Sequence, residues 1–334
     1  MSCGLWSGGN PNGICAGGSY GGGGRRKGEN EVLYCLVDCF AEEKYQGNEL
    51  LVIVADRPVS DGEQQAIARE INFSETSFIL SGKQPDGGHD VRIWTPNVGE
   101  VPFAGHPTLG TAYVIYHILE EGRGSEVRLN LKVGQIPVRV TGAGMTMMQN
   151  PPVFGETIDP AEIAEIYSID EADILDDYPI MWVSTGLDAV IVPLRTREAL
   201  ARLVCDRDRF AAYIHRHPVC NCNHLFFVDE GRAPASGQAF APAQESTPRK
   251  MRISARCLME DFVEDPATGS ANGDLAAYLL RCDYFGSKDV RYTVRQGEDM
   301  GRPSVLQVHV ALRNGSWTIE VGGNCYVVAQ GDWL

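Results

Sequence analysis

The sequence predicts two copies of one strand-and-helix domain facing each other across a cleft. Three observations carry this. The order strand, strand, glycine turn, apolar helix occurs twice. Arg92 aligns with Arg252 and Gly105 with Gly269 at offsets that differ by only four residues, which one loop absorbs. The repeat is far longer than a solenoid unit, so it marks a duplicated domain.

The first copy opens with strands at 32–37 and 48–55. Ser60 reads as an N-cap with Glu63 as its capping-box partner, starting a helix to Ile71 with Ala66, Ile67 and Ile71 on its apolar face. Strands follow at 76–80 and 91–94. Pro102-Phe103-Ala104-Gly105-His106-Pro107 is a turn, and Pro107 suits the first turn of a helix over 108–119. The second copy supplies strands at 224–228 and 251–254, the turn Asp265-Pro266-Ala267-Thr268-Gly269-Ser270, and a helix over 271–280.

Composition narrows the function. The 334 residues are 43% hydrophobic, enough for two medium domains, and the formal net charge of −15 disfavours nucleic acid and anionic membranes as partners. No apolar run reaches the roughly 20 residues of a spanning helix, and no secretory peptide is visible. The ten cysteines are scattered, several in apolar runs (Cys35, Cys39, Cys257), and read as reduced thiols in a cytoplasmic protein. Residues 1–30 are a Gly-rich leader expected to be disordered, with Arg25-Arg26-Lys27 at its basic end; Cys3 and Cys15 within it make no closed metal site. Cys220-Asn221-Cys222-Asn223-His224 reads either as the start of a metal site or as partly buried thiols. No second ligand cluster accompanies it, so no metal is expected. No nucleotide-binding glycine pattern is found, and no cofactor is indicated.

The paired turns suggest chemistry. A glycine lets backbone approach a ligand, and a helix start offers unpaired N–H groups and partial positive charge. Two such starts across a cleft can hold a carboxylate and stabilise an enolate. Glu75, at the entrance of the strand at Thr76, is either a solvated edge charge or an acid–base group whose pKa an apolar cleft would raise. His106 follows the glycine of the first turn. Asp265 is either an N-cap or a group that orients substrate.

These residues resemble the PhzF-like family, named for an isomerase of phenazine biosynthesis. The matching segments include Gln46-Gly47-Asn48, Asn72-Phe73-Ser74-Glu75-Thr76, Arg92-Ile93-Trp94-Thr95-Pro96, Gly105-His106-Pro107, Ser184-Thr185-Gly186-Leu187, Asp265-Pro266-Ala267-Thr268-Gly269-Ser270-Ala271 and Gly301-Arg302-Pro303-Ser304. The resemblance implies an α+β, diaminopimelate-epimerase-like fold with two pseudo-symmetric domains, each a curved mixed sheet around a central helix. It places the halves at 31–135 and 136–321, with the strand at 322–334 returning to the first.

It also implies a cofactor-independent and metal-free isomerase, homodimeric, acting on a small carboxylate substrate. Glu75 carries the proton, His106 and Asp265 complete the polar set, and Gly105, Gly269 and Ser270 cradle the carboxylate. The name-giving enzyme moves a proton between ring carbons of a dihydro-hydroxyanthranilate. Epimerase and racemase relatives use two cysteines at the helix starts. Ala104 and Ala267 fall at or near those positions, which disfavours a two-thiol mechanism. The alternatives are a small-molecule-binding module without catalysis, or an epimerase or racemase on the same scaffold.

Overall fold

The computed structural model describes residues 32–142, 144–217, 222–230, 251–259 and 262–333. The Gly-rich leader with Cys3 and Cys15, and the pair Cys220 and Asn221, lie outside the described residues.

The elements begin with β1 (Val32–Cys39), β2 (Asn48–Val54), α1 (Asp61–Ile71), β3 (Thr76–Ile79), β4 (Gly88–Thr95), β5 (Gly99–Val101), α2 (Gly105–Val114), β6 (Glu126–Leu131), β7 (Gly134–Thr141) and β8 (Gly144–Met148). Then come β9 (Val153–Thr157), α3 (Pro160–Tyr167), β10 (Met181–Ser184), β11 (Asp188–Pro193), α4 (Arg197–Ala201), α5 (Arg207–Arg216), β12 (Cys222–Glu230), β13 (Arg252–Met259), β14 (Glu264–Asp265), α6 (Gly269–Arg281), β15 (Asp289–Gln296), β16 (Ser304–Arg313), β17 (Ser316–Gly323) and β18 (Cys325–Trp333).

The pairing repeats strand by strand. In the first half β1–β2 is antiparallel, β2–β3 parallel and β3–β4 antiparallel, and β4 pairs antiparallel with β5 and parallel with β6. The second half gives β10–β11 antiparallel, β11–β12 parallel and β12–β13 antiparallel, and β13 pairs antiparallel with β14 and parallel with β15. The duplication read from the two turns thus extends through the topology. The halves are also stitched together. Strand β18 pairs with β1, β9 pairs with β10, and β8 joins β17. The last strand therefore closes the first half's sheet, and the strand after β8 caps the second's.

Each half wraps its sheet around one helix. Every residue of α2 is buried, and so are Gly269–Leu280 of α6. A helix apolar all round belongs inside a core, not on a surface. Thr108 tolerates this burial because its hydroxyl donates to the Ala104 carbonyl at 2.7 Å. Both helices begin earlier than the sequence suggests, at Gly105 and Gly269. Pro107 costs nothing there, because the N–H it lacks would be unpaired in a first turn. The predicted helix over 108–119 ends instead as a π-helical turn, Ile115–Leu119.

Helix α1 covers the outer face of the first sheet, and α3 to α5 cover that of the second. Ser60 caps α1 as expected, accepting from the Glu63 N–H. The Glu63 carboxylate, expected to complete the capping box, bonds Arg57 instead, at 2.7 and 3.2 Å. Ala66 is exposed, and the buried face is Gln64, Ile67 and Ala68. Gln64 is polar yet fully buried because its amide donates to the Val59 carbonyl at 2.8 Å and accepts from the Trp94 indole at 2.7 Å. That bond fixes α1 on β4, and with it the short link from α1 to β3 that carries Glu75. Among the described residues, no helix is long and apolar enough to cross a membrane.

Candidate active site

The starts of α2 and α6 meet. A methyl group on Gly105 would stand 3.6 Å from the Gly269 Cα and 3.6 Å from the Ser270 nitrogen. A side chain here would occupy the space between the two helix starts. Neither helix has a side-chain cap on its first N–H groups, so both positive ends stay available to an anion. Ala104 is the N-cap of α2. Its topological equivalent at α6 is Thr268, one residue after Ala267.

Glu75 precedes β3, which runs parallel to β2 with Thr76 beside Leu51. This brings it to the start of α2. Its Oε2 lies 3.5 Å from His106 Nε2, with the Glu75 side chain 19% exposed and His106 6% exposed. Burial pushes His106 down to a pKa of about 3, with the Glu49 backbone as a smaller opposing influence. The ring is therefore neutral at physiological pH. A neutral imidazole presents either N–H or a lone pair at Nε2, according to tautomer. The first suits a Glu75 carboxylate and the second a protonated Glu75.

Asn48 opens β2 and joins the two halves. Its amide nitrogen lies 3.2 Å from His106 Nδ1 and donates to Asp265 Oδ1 at 2.8 Å and the Ala267 carbonyl at 3.2 Å. Asp265 is not the N-cap that its place before Pro266 allowed. It sits on the two-residue strand β14 opposite Cys257, and its Oδ2 accepts from the Thr268 hydroxyl at 2.5 Å. Gln296 closes the second side, donating to the Asp265 carbonyl at 2.8 Å and to Thr268 Oγ1 at 2.9 Å. Asp265 is pushed up to about 7, first by burial and then by the charge of Cys257, against hydrogen bonds from Thr268 and Asn48.

The loop before Asn48 is held from the second half. Arg302 donates to the Gly47 and Gln46 carbonyls at 2.9 and 3.0 Å and pairs with Asp38 at 2.9 Å. The structure thus brings Glu75, His106, Asp265, Gly105, Gly269 and Ser270 to one place. Sequence reasoning missed Asn48, Thr268, Gln296 and Arg302 as parts of it, although all four lie within segments that match the family. Among the described residues, no group of three or more His, Cys, Asp or Glu side chains is placed to hold a metal ion.

A sequence profile described as phenazine biosynthesis-like protein matches residues 37–331. The chain belongs to the PhzC–PhzF family. An uncharacterized isomerase of Clostridium acetobutylicum is 31% identical to this PhzC–PhzF chain over 310 residues, covering 89% of it and 96% of the relative. The trans-2,3-dihydro-3-hydroxyanthranilate isomerase of Pseudomonas aeruginosa is 31% identical over 314 residues, covering 89% and 98%. Among solved structures, a PhzF-family phenazine biosynthesis protein of Bacillus anthracis matches with TM-score 0.76 and 23% identity, covering 91% of this chain and 99% of that one. A hydroxyproline epimerase from Agrobacterium vitis shares the fold at TM-score 0.56 and 11% identity, covering 91% and 92%. The fold is diaminopimelate-epimerase-like, and the protein is an isomerase of the PhzC–PhzF family.

The buried neutral His106 gives this PhzC–PhzF protein an acid weakness. Its folded pKa is depressed, so the unfolded chain takes up a proton that the folded one refuses. The associated stability is present above about 6.5 and is lost as the pH falls toward about 3. Asp265, raised above its ordinary value, works in the opposite sense over the same range and is common to both proteins compared. In urea unfolding between pH 6.5 and 4, wild type should therefore lose stability more steeply than His106→Gln, by up to about 1.4 kcal/mol per pH unit, the weight of one proton. Parallel profiles would show that His106 is protonated in the folded state.

Proposed function

We propose that this isomerase moves a proton on a small carboxylate substrate bound between α2 and α6, without cofactor or metal. Glu75 serves as general base and then as general acid. The N–H groups at Gly105, Gly269 and Ser270 hold the substrate carboxylate, and His106 and Asp265 orient the reacting part. The observation that carries this reading is the position of Glu75, 3.5 Å from a buried neutral His106 where the two helix starts meet.

In the first step a substrate C–H bond breaks as a Glu75 O–H bond forms, and the electron pair enters the adjoining conjugated system. The paired helix starts stabilise that charge. In the second step protonated Glu75 returns its proton to another carbon. His106, kept neutral by burial, stays uncharged beside Glu75 through both steps. The resemblance to the family adds a homodimer to this reading.

The experiment incubates the full chain in deuterated water with a panel of small carboxylates, beginning with trans-2,3-dihydro-3-hydroxyanthranilate. That compound enters as the substrate named for the Pseudomonas aeruginosa relative. Deuterium gain or double-bond migration in a panel member supports the reading. A carboxylate that raises the melting temperature of wild type and Glu75→Ala equally, with no exchange in either, would instead identify a binding module.

A further inference from the structure

The proposed chemistry needs two helix starts held at one separation. The segment that leaves β1 touches both central helices with successive residues. Cys39, the last residue of the strand, faces α2: a methyl group on Gly110 would stand 2.5 Å from the Cys39 sulfur. Phe40, the next residue, faces α6. A methyl group on Gly269 would stand 3.5 Å from Cζ, the tip of the Phe40 ring, and 3.9 Å from the Gly105 Cα. The ring tip therefore borders the gap between the two helix starts. Cys39 and Phe40 are both fully buried.

The ring stands there at a conformational cost. Phe40 has a φ of +59°, in the left-handed region that a bulky L residue rarely adopts. Such strain persists only where the surrounding structure over-determines it, and it clusters at functional sites. Here the second half holds the strained residue. The Val305 N–H donates to the Phe40 carbonyl at 2.8 Å, and the Ala41 N–H donates to the Asn324 carbonyl at 3.2 Å. On the preceding residue but one, Asp38 pairs with Arg302 at 2.9 Å. Gly323 of β17 leaves room for the ring, since a Cβ added to it would lie 2.7 Å from Phe40 Cδ1. Phe40 is thus a first-half residue wedged between β17 and the start of α6.

We propose that Phe40 is a positioning residue that sets the separation of the two helix starts, and with it the fit of their N–H groups to one carboxylate. A close-packed aromatic ring is rigid and transmits position to what it touches. Without it, a void opens beside Gly269, and the start of α6 can relax into that void. The N–H groups of Gly269 and Ser270 would move with α6. Gly105 would stay with α2, which Cys39 still supports. The donors would then no longer converge on one carboxylate. Glu75 and His106 lie on the α2 side and keep their geometry, so the loss falls on binding more than on proton transfer. A ring that only filled the core would cost stability when removed and leave the separation unchanged.

This inference rests on the proposed isomerase site, yet its first test needs no ligand. Glycines of the full chain are labelled with carbon-13 in a deuterated background, and the nuclear Overhauser contact between the α-protons of Gly105 and Gly269 is recorded. The signals are assigned by their loss in Gly105→Ala and Gly269→Ala. Wild type should show the contact, and its absence there overturns the proposal at once. Phe40→Ala should lose it. Phe40→Leu, a smaller truncation, should weaken it and serves as the second variant should Phe40→Ala fail to fold. Phe210→Leu shortens another fully buried aromatic, in the core beneath α5, and should keep the contact. A contact unchanged in either folded Phe40 variant overturns the proposal, as does an equal loss in Phe210→Leu. With a carboxylate that wild type isomerises, Phe40→Leu should also raise KM about tenfold, the weight of roughly one hydrogen bond, with a smaller fall in kcat. An unmoved KM overturns the proposal too. If the contact is lost while Glu75 proves dispensable for exchange, only the proton-carrier reading fails.

Discussion

Glu75→Gln should reduce turnover by about 10³-fold or more while leaving carboxylate binding nearly unchanged. Glutamine keeps the size and much of the polarity of the side chain beside His106, but it cannot accept a proton from carbon. The anion-binding N–H groups of α2 and α6 are backbone groups and survive the change. The loss should therefore appear in kcat, with KM close to wild type. Steady-state kinetics with a carboxylate that wild type isomerises gives both values. A variant retaining a tenth or more of wild-type kcat would show that Glu75 assists without carrying the proton.

Gly47→Ala should destabilise the fold by about 2 kcal/mol or more. Two independent costs act at this position. Its φ of +77° lies in the left-handed region, and an added Cβ would stand 2.2 Å from the Cys39 carbonyl oxygen. Backbone must move, because no flexible side chain is there to yield. Gly47 also anchors the link between the halves, donating to the Pro303 carbonyl at 2.9 Å and accepting from Arg302. Displacement would carry Asn48 with it and loosen its hold on Asp265. Urea unfolding should show the lower midpoint, and ligand-saturated kcat should fall as well. Unchanged stability would mean that the loop relaxes without cost.

The duplication was legible because its signals are local. A glycine at each helix start and an arginine on the strand before it sit at matching positions, and the pairing of every neighbouring strand then agrees. Glu75, His106 and Asp265 were legible as candidates for the same reason, and the family resemblance supplied their shared site. What stayed hidden depends on contacts distant in sequence. Asn48 reads as an ordinary strand start, yet its partner Asp265 lies 217 residues away. For Asp265 the N-cap reading stayed open beside the site reading, because a residue before a proline and a helix so often is one. Register instead places it against Cys257, and Thr268 takes the capping position.

The central claim is that a carboxylate sits between two helix starts with its reacting carbon at Glu75. A crystal structure of Glu75→Gln with a substrate that wild type turns over tests this directly. The expected result is a carboxylate on the N–H groups of Gly105, Gly269 and Ser270, with the carbon that loses its proton about 3–3.5 Å from the side chain of residue 75. A ligand bound elsewhere, or one whose exchanging carbon faces Asp265 and turns away from residue 75, would contradict it.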